Sequence, residues 1–270
     1  MDFFHLWQHC VFKRIPEFYS LNEVLNMLKA VLMTLLVAGL FFSAGSQPYM
    51  ATDSCCTYSK VADSLFTLAN SPSPMRHFAA LYHHTTIVIA GHAMALPPAG
   101  RAFLEREVYG FYTAVRRANN QYLQHYEPPS GSWQFYFSDT VQAPVFFYLA
   151  GLNAHINGDS YHTLKSTYSA EELRLFKPVY KQLDPVLMKV SDSLYTMFRH
   201  VKAFDRAHKL SLGGSQLYVR HLLRNWRRQQ FRIAQAWYAN PIRYNRLAGK
   251  AAKRKAKWDA FTSKYFGEQR

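Results

Sequence analysis

From about residue 75 onward, apolar positions recur along the chain with the period of a helix. Apolar side chains recur every three to four positions, in stretches separated by clusters rich in proline and glycine, and this recurrence is typical of amphipathic helices. We predict helices over 75–95, 101–126, 137–158, 215–238 and 248–266. Since no series of strictly alternating positions predicts strands, the pattern indicates an all-α fold, a bundle of several helices.

The segment 137–158 is the most apolar of the predicted helices. A helix that is apolar on most of its sides is buried on most of its sides. We therefore place it at the centre of the bundle. This central helix belongs to a helical domain over 74–240, which we expect to follow a connector over 47–73 and to precede a basic, aromatic C-terminal helix over 241–270.

A separate apolar run, AVLMTLLVAGLFF at 30–42, precedes the helical domain. It suits the core of a signal peptide and is short for a membrane span of about 20 residues. Lys29 precedes the run, and small residues that suit a signal peptidase follow it. We predict a leader over 1–46, either a cleaved signal peptide with translation starting at Met27 or an uncleaved signal anchor; an ordinary buried helix is the third interpretation. Both leader hypotheses place the body outside the cytoplasm, as a periplasmic, secreted or membrane-anchored protein.

The chain is strongly basic, and its excess charge is concentrated near the C-terminus. The formal net charge is +15, and residues 217–270 carry 14 Lys and Arg side chains against two acidic ones. Basic and aromatic side chains at helical spacing are typical of helices that lie on anionic lipid. We predict an anionic partner, a lipid or another envelope component; nucleic acid is less favoured because export is predicted, and a merely solvated basic face is the alternative. The cations assigned to this partner are Arg224, Arg227, Arg228, Arg232, Lys253, Arg254, Lys255 and Lys257.

The segment GLNAHINGD at 151–159 places polar side chains inside the most apolar helix. Burial of Asn153, His155 and Asn157 without partners would destabilise the fold by about 1–3 kcal/mol for each group. Each side chain therefore needs another helix, a metal or a ligand as its partner. Residues four apart share a helical face, so Asn153 pairs with Asn157 and His155 pairs with Asp159.

His155, Asp159 and His162 form one stripe if the helix continues beyond the motif. Imidazole and carboxylate groups are suitable ligands for a divalent metal such as zinc, and a catalytic zinc needs three protein ligands. A carboxylate beside a histidine also orients a general base. Three hypotheses stay open: a metal site of these three residues, a metal-free catalytic site of His155, Asp159, Asn153 and Asn157, and a structural network. A functional site requires His155 and Asp159 to face one cavity.

The same motif resembles the signature of a known family. G-[LM]-N-A-H-I-N-x-D is similar to the signature of a family of unknown function, numbered 5995, with a Phe-Ala-x-x-Tyr stretch before it and Arg-x-x-Ala-Trp near the C-terminus. The stretch FAALY at 78–82 matches the first, and RIAQAW at 232–237 matches the second with one extra residue. The family usually continues with Leu-Pro after the aspartate, whereas Ser160 follows here. The resemblance covers 75–238 and implies a common fold and site without implying a reaction.

Two functions are compatible with these patterns. The first is an envelope enzyme, a metal-dependent hydrolase of a lipid or phosphoester with His155 and Asp159 at its centre. The second is a non-catalytic helical envelope protein that binds anionic lipid through its basic C-terminal region. The sequence contains neither a Gly-x-Ser-x-Gly motif nor a Gly-rich phosphate loop. Enzymes that depend on a nucleophile elbow or on such a phosphate loop are therefore excluded. Glu105 and Glu107, two residues apart on a predicted helix, point away from each other. We expect a solvated face for them, and the alternative is that one of the two reaches the helix of His155.

Overall fold

The protein is described by a computed structural model over residues 56–127, 129, 131–138, 142, 144–198 and 214–267. Every regular element in these ranges is helical, and they contain no strand, which confirms the all-α prediction. The predicted leader, 1–46, lies outside the described residues. Within the described ranges, no helix has the length and apolar character that crossing a bilayer requires.

The α-helices follow one another along the chain with two short irregular helical elements between them, one tighter and one wider than an α-helix. In chain order the elements are α1 (Cys56–Ala69), α2 (Arg76–Ala93), α3 (Pro98–His125), a 3₁₀ turn (Gly131–Trp133), α4 (Gln134–Phe137), α5 (Pro144–Leu152), a π-helical segment (Asn153–Asp159), α6 (Ser160–Thr167), α7 (Ala170–Leu175), α8 (Lys177–Phe198), α9 (Gly214–Ala239) and α10 (Pro241–Phe266).

Helix α1 packs against α2 and α3 and contributes to the core. Its side chains Tyr58, Val61 and Leu65 are buried. The segment 47–73, which we expected to be a connector, therefore contains a core helix. Only one face of this helix meets the core, so polar residues occupy its other positions and the segment was predicted to be a connector.

The centre of the molecule is a continuous helical stretch over 144–167, made of α5, the π-helical segment and α6. Together these elements contact α2, α3, α9 and α10. The helix begins at Pro144 rather than at the predicted 137, since α4 ends at Phe137 and proline suits a first helical turn. It also continues beyond the motif to Thr167, as the proposed stripe requires.

Two glycines of the motif allow close approach of neighbouring elements. A Cβ on Gly151 would lie 2.5 Å from Phe78 Cδ2 of α2, and a Cβ on Gly158 would lie 2.5 Å from Ser132 Cβ of the 3₁₀ turn. Real Cβ atoms do not approach other atoms this closely. The absence of a side chain at both positions therefore sets how tightly α2 and the 3₁₀ turn pack against the central helix.

Helix α10 is part of the bundle rather than an appended C-terminal helix. It begins after Asn240, whose Oδ1 accepts a hydrogen bond from the Arg243 N–H at 2.8 Å. Its inner face packs on α9, α5 and the π-helical segment, and Ala251 and Thr262 are fully buried on that face. The boundary that we expected at residue 241 is a turn between two core helices.

Candidate functional site

The last seven residues of the motif, Asn153–Asp159, form the π-helical segment, where the backbone is wider than in an α-helix. The Ser160 N–H donates to the carbonyl oxygen of His155, five residues earlier, and the Ser160 hydroxyl donates to the same oxygen at 2.9 Å. π-Helical turns inside α-helices are rare and occur frequently at functional sites. The motif is thus a local irregularity in the otherwise regular central helix.

Asn153 and Asn157 form the predicted pair, and α10 supplies their partners. The Asn157 Nδ2 donates to Asn153 Oδ1 at 2.8 Å, and the Asn153 Nδ2 donates to Asp259 Oδ1 at 2.7 Å and to the Lys255 carbonyl at 2.9 Å. Both asparagines are fully buried. The contacts tie the π-helical segment to α10, but of the four motif side chains that we expected to converge, only the two asparagines join this network.

Arg254 completes this network from the other side. Its Nε donates to Asn157 Oδ1 at 2.8 Å, and its Nη1 donates to Gln229 of α9. The guanidinium also lies 5.6 Å from the centre of the Trp226 ring. Burial lowers the pKa of Arg254 to about 10, so it remains charged at neutral pH. The network therefore links the central helix, α9 and α10.

His155 lies away from this network, among aromatic rings. Its ring centre is 4.7 Å from that of Phe111, 5.2 Å from that of Tyr82 and 5.6 Å from that of Phe78. Its Nδ1 has no hydrogen-bond partner among the described residues. Burial lowers the pKa of His155 to about 4, and the imidazole is therefore neutral at pH 7. The ring borders an internal cavity.

Asp159 faces a different space. Its carboxylate accepts a hydrogen bond from the Trp133 indole, and it borders an open groove of about 900 Å³ between α3 and α6. Burial raises the pKa of Asp159 to about 6, although hydrogen bonds from Trp133 and Ser132 oppose the shift. His162 borders the same groove and is exposed.

The structure does not assemble the proposed stripe. His155 borders the internal cavity, whereas Asp159 and His162 border the groove, so the expectation of one shared cavity is wrong. In the part of the chain that the structure describes, no group of three His, Cys, Asp or Glu residues could hold a metal ion. Residues four apart in the π-helical segment can share a face, as Asn153 and Asn157 do. The separation of His155 from Asp159 therefore comes from the elements packed around each, α2 and α3 around the imidazole and the 3₁₀ turn around the carboxylate.

Comparison with known families finds one match for this chain. The model described as "Family of unknown function (DUF5995)" matches residues 59–261, which is more than half of the chain. The chain belongs to the DUF5995 family. No curated protein and no solved structure matches it. The DUF5995 match includes α1 and most of α10, so both helices that we had placed outside the central domain belong to it.

Four of the cations assigned to an anionic partner are instead used inside this DUF5995 fold. Arg227 Nη1 and Arg228 Nη2 lie 2.8 Å and 3.0 Å from the two carboxylate oxygens of Asp184 on α8. Lys255 is paired with Asp259 at 2.6 Å, and Arg254 belongs to the asparagine network. Of the other four, Arg232, Lys253 and Lys257 are exposed and Arg224 is half-buried.

Sequence reasoning selected only part of the exposed basic surface of α10. Five cations lie three or four residues apart on one face, and all are exposed; we name them the basic stripe: Arg243, Arg246, Lys250, Lys253 and Lys257. No ion pair joins any of them to a carboxylate of the described residues. Their three-four spacing was visible in the sequence, but it became informative only once the helix began at Pro241.

Glu107 takes the alternative position that the sequence left open, facing the helix of His155. We expected a solvated face, yet Glu107 is only 5% exposed and borders the same internal cavity as His155. Burial raises the pKa of Glu107 to about 7, and the neighbouring Arg227 opposes the shift. Its Oε2 has no hydrogen-bond partner in the described part of the chain. The two-residue spacing indicated that Glu105 and Glu107 face different ways, as they do, but it did not indicate which of them is buried.

Proposed function

We propose that this protein binds the surface of an anionic lipid bilayer through α10. The basic stripe is the observation that carries the proposal. Its five cations are exposed along one face of a helix, while the one acidic residue of α10, Asp259, is turned inward and paired with Lys255. A surface of one sign without internal neutralisation attracts a partner of the opposite sign.

Exposed apolar side chains favour lipid over nucleic acid as this partner. Ile242 is 82% exposed beside the start of the stripe, and Trp237 and Tyr238 are 47% and 43% exposed at the end of α9. Aromatic and aliphatic side chains at this position can enter the headgroup region of a bilayer. An isoleucine gains no comparable contact from the phosphate backbone of a nucleic acid.

The basic stripe is large enough to give measurable binding. A Lys or Arg near an anionic leaflet contributes about 1 kcal/mol, so five of them contribute on the order of 5 kcal/mol before the apolar contacts are added. The alternative function, a metal-dependent hydrolase, lacks comparable support because the described residues contain no suitable ligand set.

Co-sedimentation with vesicles tests the proposal. Replacement of Arg246, Lys250 and Lys253 by Gln should weaken binding to phosphatidylserine-containing vesicles by roughly 100-fold, since about 3 kcal/mol is removed. The matched control replaces three exposed cations of other helices, Arg116 of α3 and Lys177 and Lys181 of α8, and should bind as the unmodified protein does.

Two outcomes would contradict the proposal. Equal loss of binding in the stripe variant and in the control would show that only net charge matters. Binding to duplex DNA that is tighter than binding to anionic vesicles, and equally sensitive to the stripe variant, would assign the basic stripe to nucleic acid.

A further inference from the structure

An internal cavity lies between the central helix and its neighbours. It has a volume of about 110 Å³ and is bordered by α2, α3, α8, α9 and the motif. Most of its lining is aliphatic or aromatic, and it includes Phe78, Phe111, Ile156 and Leu183. An apolar cavity of this kind accepts small molecules when their shape and polar groups fit.

Most polar groups that border the cavity are already satisfied. Each hydroxyl group there donates to a main-chain carbonyl at 2.9–3.2 Å: Tyr82, Thr85, Ser160, Tyr180 and Ser191. Two atoms remain without a hydrogen-bond partner among the described residues, Glu107 Oε2 and His155 Nδ1. Because unpaired buried polar atoms are unfavourable, these two indicate where a ligand would be held.

The charges around the cavity are balanced without a ligand. Arg227, which borders the cavity, is 2.8 Å from Asp184, and Arg228 is 3.0 Å from the same carboxylate. Above pH 7, where Glu107 is ionised, two guanidinium groups are matched by two carboxylates. A charged ligand would disturb this balance in an apolar setting where a net charge is unfavourable, so a neutral ligand fits.

We propose that this cavity binds a small neutral molecule with an apolar body and one hydroxyl group, which Glu107 and His155 hold by hydrogen bonds. A hydroxyl group donates one hydrogen bond and accepts others, so it can donate to the Glu107 carboxylate and accept from the histidine ring. A dry cavity of about 150 Å³ accepts benzene. Because the present cavity is smaller, at about 110 Å³, the apolar body can be no larger than one six-membered ring. This binding site is independent of the lipid-binding surface on α10.

Calorimetric titration of the full chain with phenol, benzene, benzoate and 1-naphthol tests the inference. Phenol should bind saturably and at least tenfold more tightly than benzene, because only phenol can use Glu107 and His155. Benzoate should bind at least tenfold more weakly than phenol because of its charge. 1-Naphthol, which has two rings, should not bind.

A pair of variants on α3 assigns the hydroxyl contact. Glu107→Leu removes the acceptor and leaves an apolar lining, so the affinities for phenol and benzene should then differ by less than twofold. Glu105→Leu, two residues away on the groove side, should keep the tenfold preference of the unmodified protein.

Three results would overturn the inference. Absence of saturable phenol binding rejects the binding site, equal affinities for phenol and benzene reject the hydroxyl contact, and an undiminished preference in Glu107→Leu rejects the role of Glu107. The comparison of phenol with benzene in the unmodified protein remains decisive if Glu107→Leu does not fold.

Discussion

Glu107 is a carboxyl group that the fold has removed from water. Burial raises its pKa from the ordinary 4.5 to about 7. Between these values the folded state keeps a proton that the unfolded chain releases. The stabilising effect of this proton is therefore complete below pH 4.5 and is lost as the pH rises through 7. The full shift corresponds to roughly 3 kcal/mol.

Replacement of Glu107 by Gln should remove this pH dependence. As the pH rises from 5 to 8, the stability of the variant should increase by about 2–3 kcal/mol relative to that of the unmodified protein. Urea denaturation at several pH values measures the difference. His155 has the opposite effect, since its lowered pKa of about 4 makes stability rise with pH, but it contributes equally to both proteins. Parallel pH profiles for the two proteins would contradict the prediction.

The π-helical segment is the element on which the candidate site depends. It turns Asn153 and Asn157 toward α10 and His155 toward α2 and α3. Its last turn contacts the 3₁₀ turn through Gly158, and Asp159 is held there by Trp133. Packing around Gly158 therefore controls the position of Asp159, one of the candidate site residues.

Gly158→Ala should destabilise the protein by about 1–3 kcal/mol, because the added Cβ meets Ser132 Cβ and Oγ at 2.5 Å and overpacking of this kind is unfavourable. Gly249→Ala in α10 is the matched control. No atom lies within 4 Å of a Cβ at that position, so the same change should stabilise the helix by about 0.5–1 kcal/mol. Chemical denaturation measures both; a loss of stability of equal size in the two variants would contradict the packing argument.

At the scale of the whole molecule, part of the basic charge is used in contacts between helices and part is exposed. Arg227, Arg228, Arg254 and Lys255 stabilise helix contacts through Asp184, Asp259 and the asparagines. The basic stripe remains available to an external partner. The formal charge of +15 thus overstates what an anionic surface would encounter.

Binding to anionic vesicles should weaken at least tenfold between 0.05 M and 0.5 M NaCl, because exposed charges are screened over about 8 Å at physiological ionic strength and over shorter distances at higher salt. The binding that remains at high salt should come from the apolar side chains, and Ile242→Ser should reduce it further. Flotation of vesicles across a salt series measures both effects. Salt-independent binding, or equal binding to neutral vesicles, would exclude an electrostatic role for α10.

Most of the helices were predictable from local pattern. The expected helices over 75–95, 101–126 and 215–238 agree with α2, α3 and α9 within a few residues, because apolar period and proline or glycine boundaries act locally. Helix α1 and the start of the central helix were missed. Helix α1 buries only one face, and the central helix begins at Pro144, seven residues later than the apolar run suggested.

Sequence alone established the helical class, the family, the burial of the motif's asparagines and the basic bias of the C-terminal region. Each of these follows from residue type and short-range spacing. Which cations are internal and where His155 points depended on the packed structure. Arg227 meets Asp184 across two helices, and His155 and Asp159 border different spaces although they lie four residues apart. Both outcomes depend on which helix faces meet, and spacing along one ideal helix does not specify that.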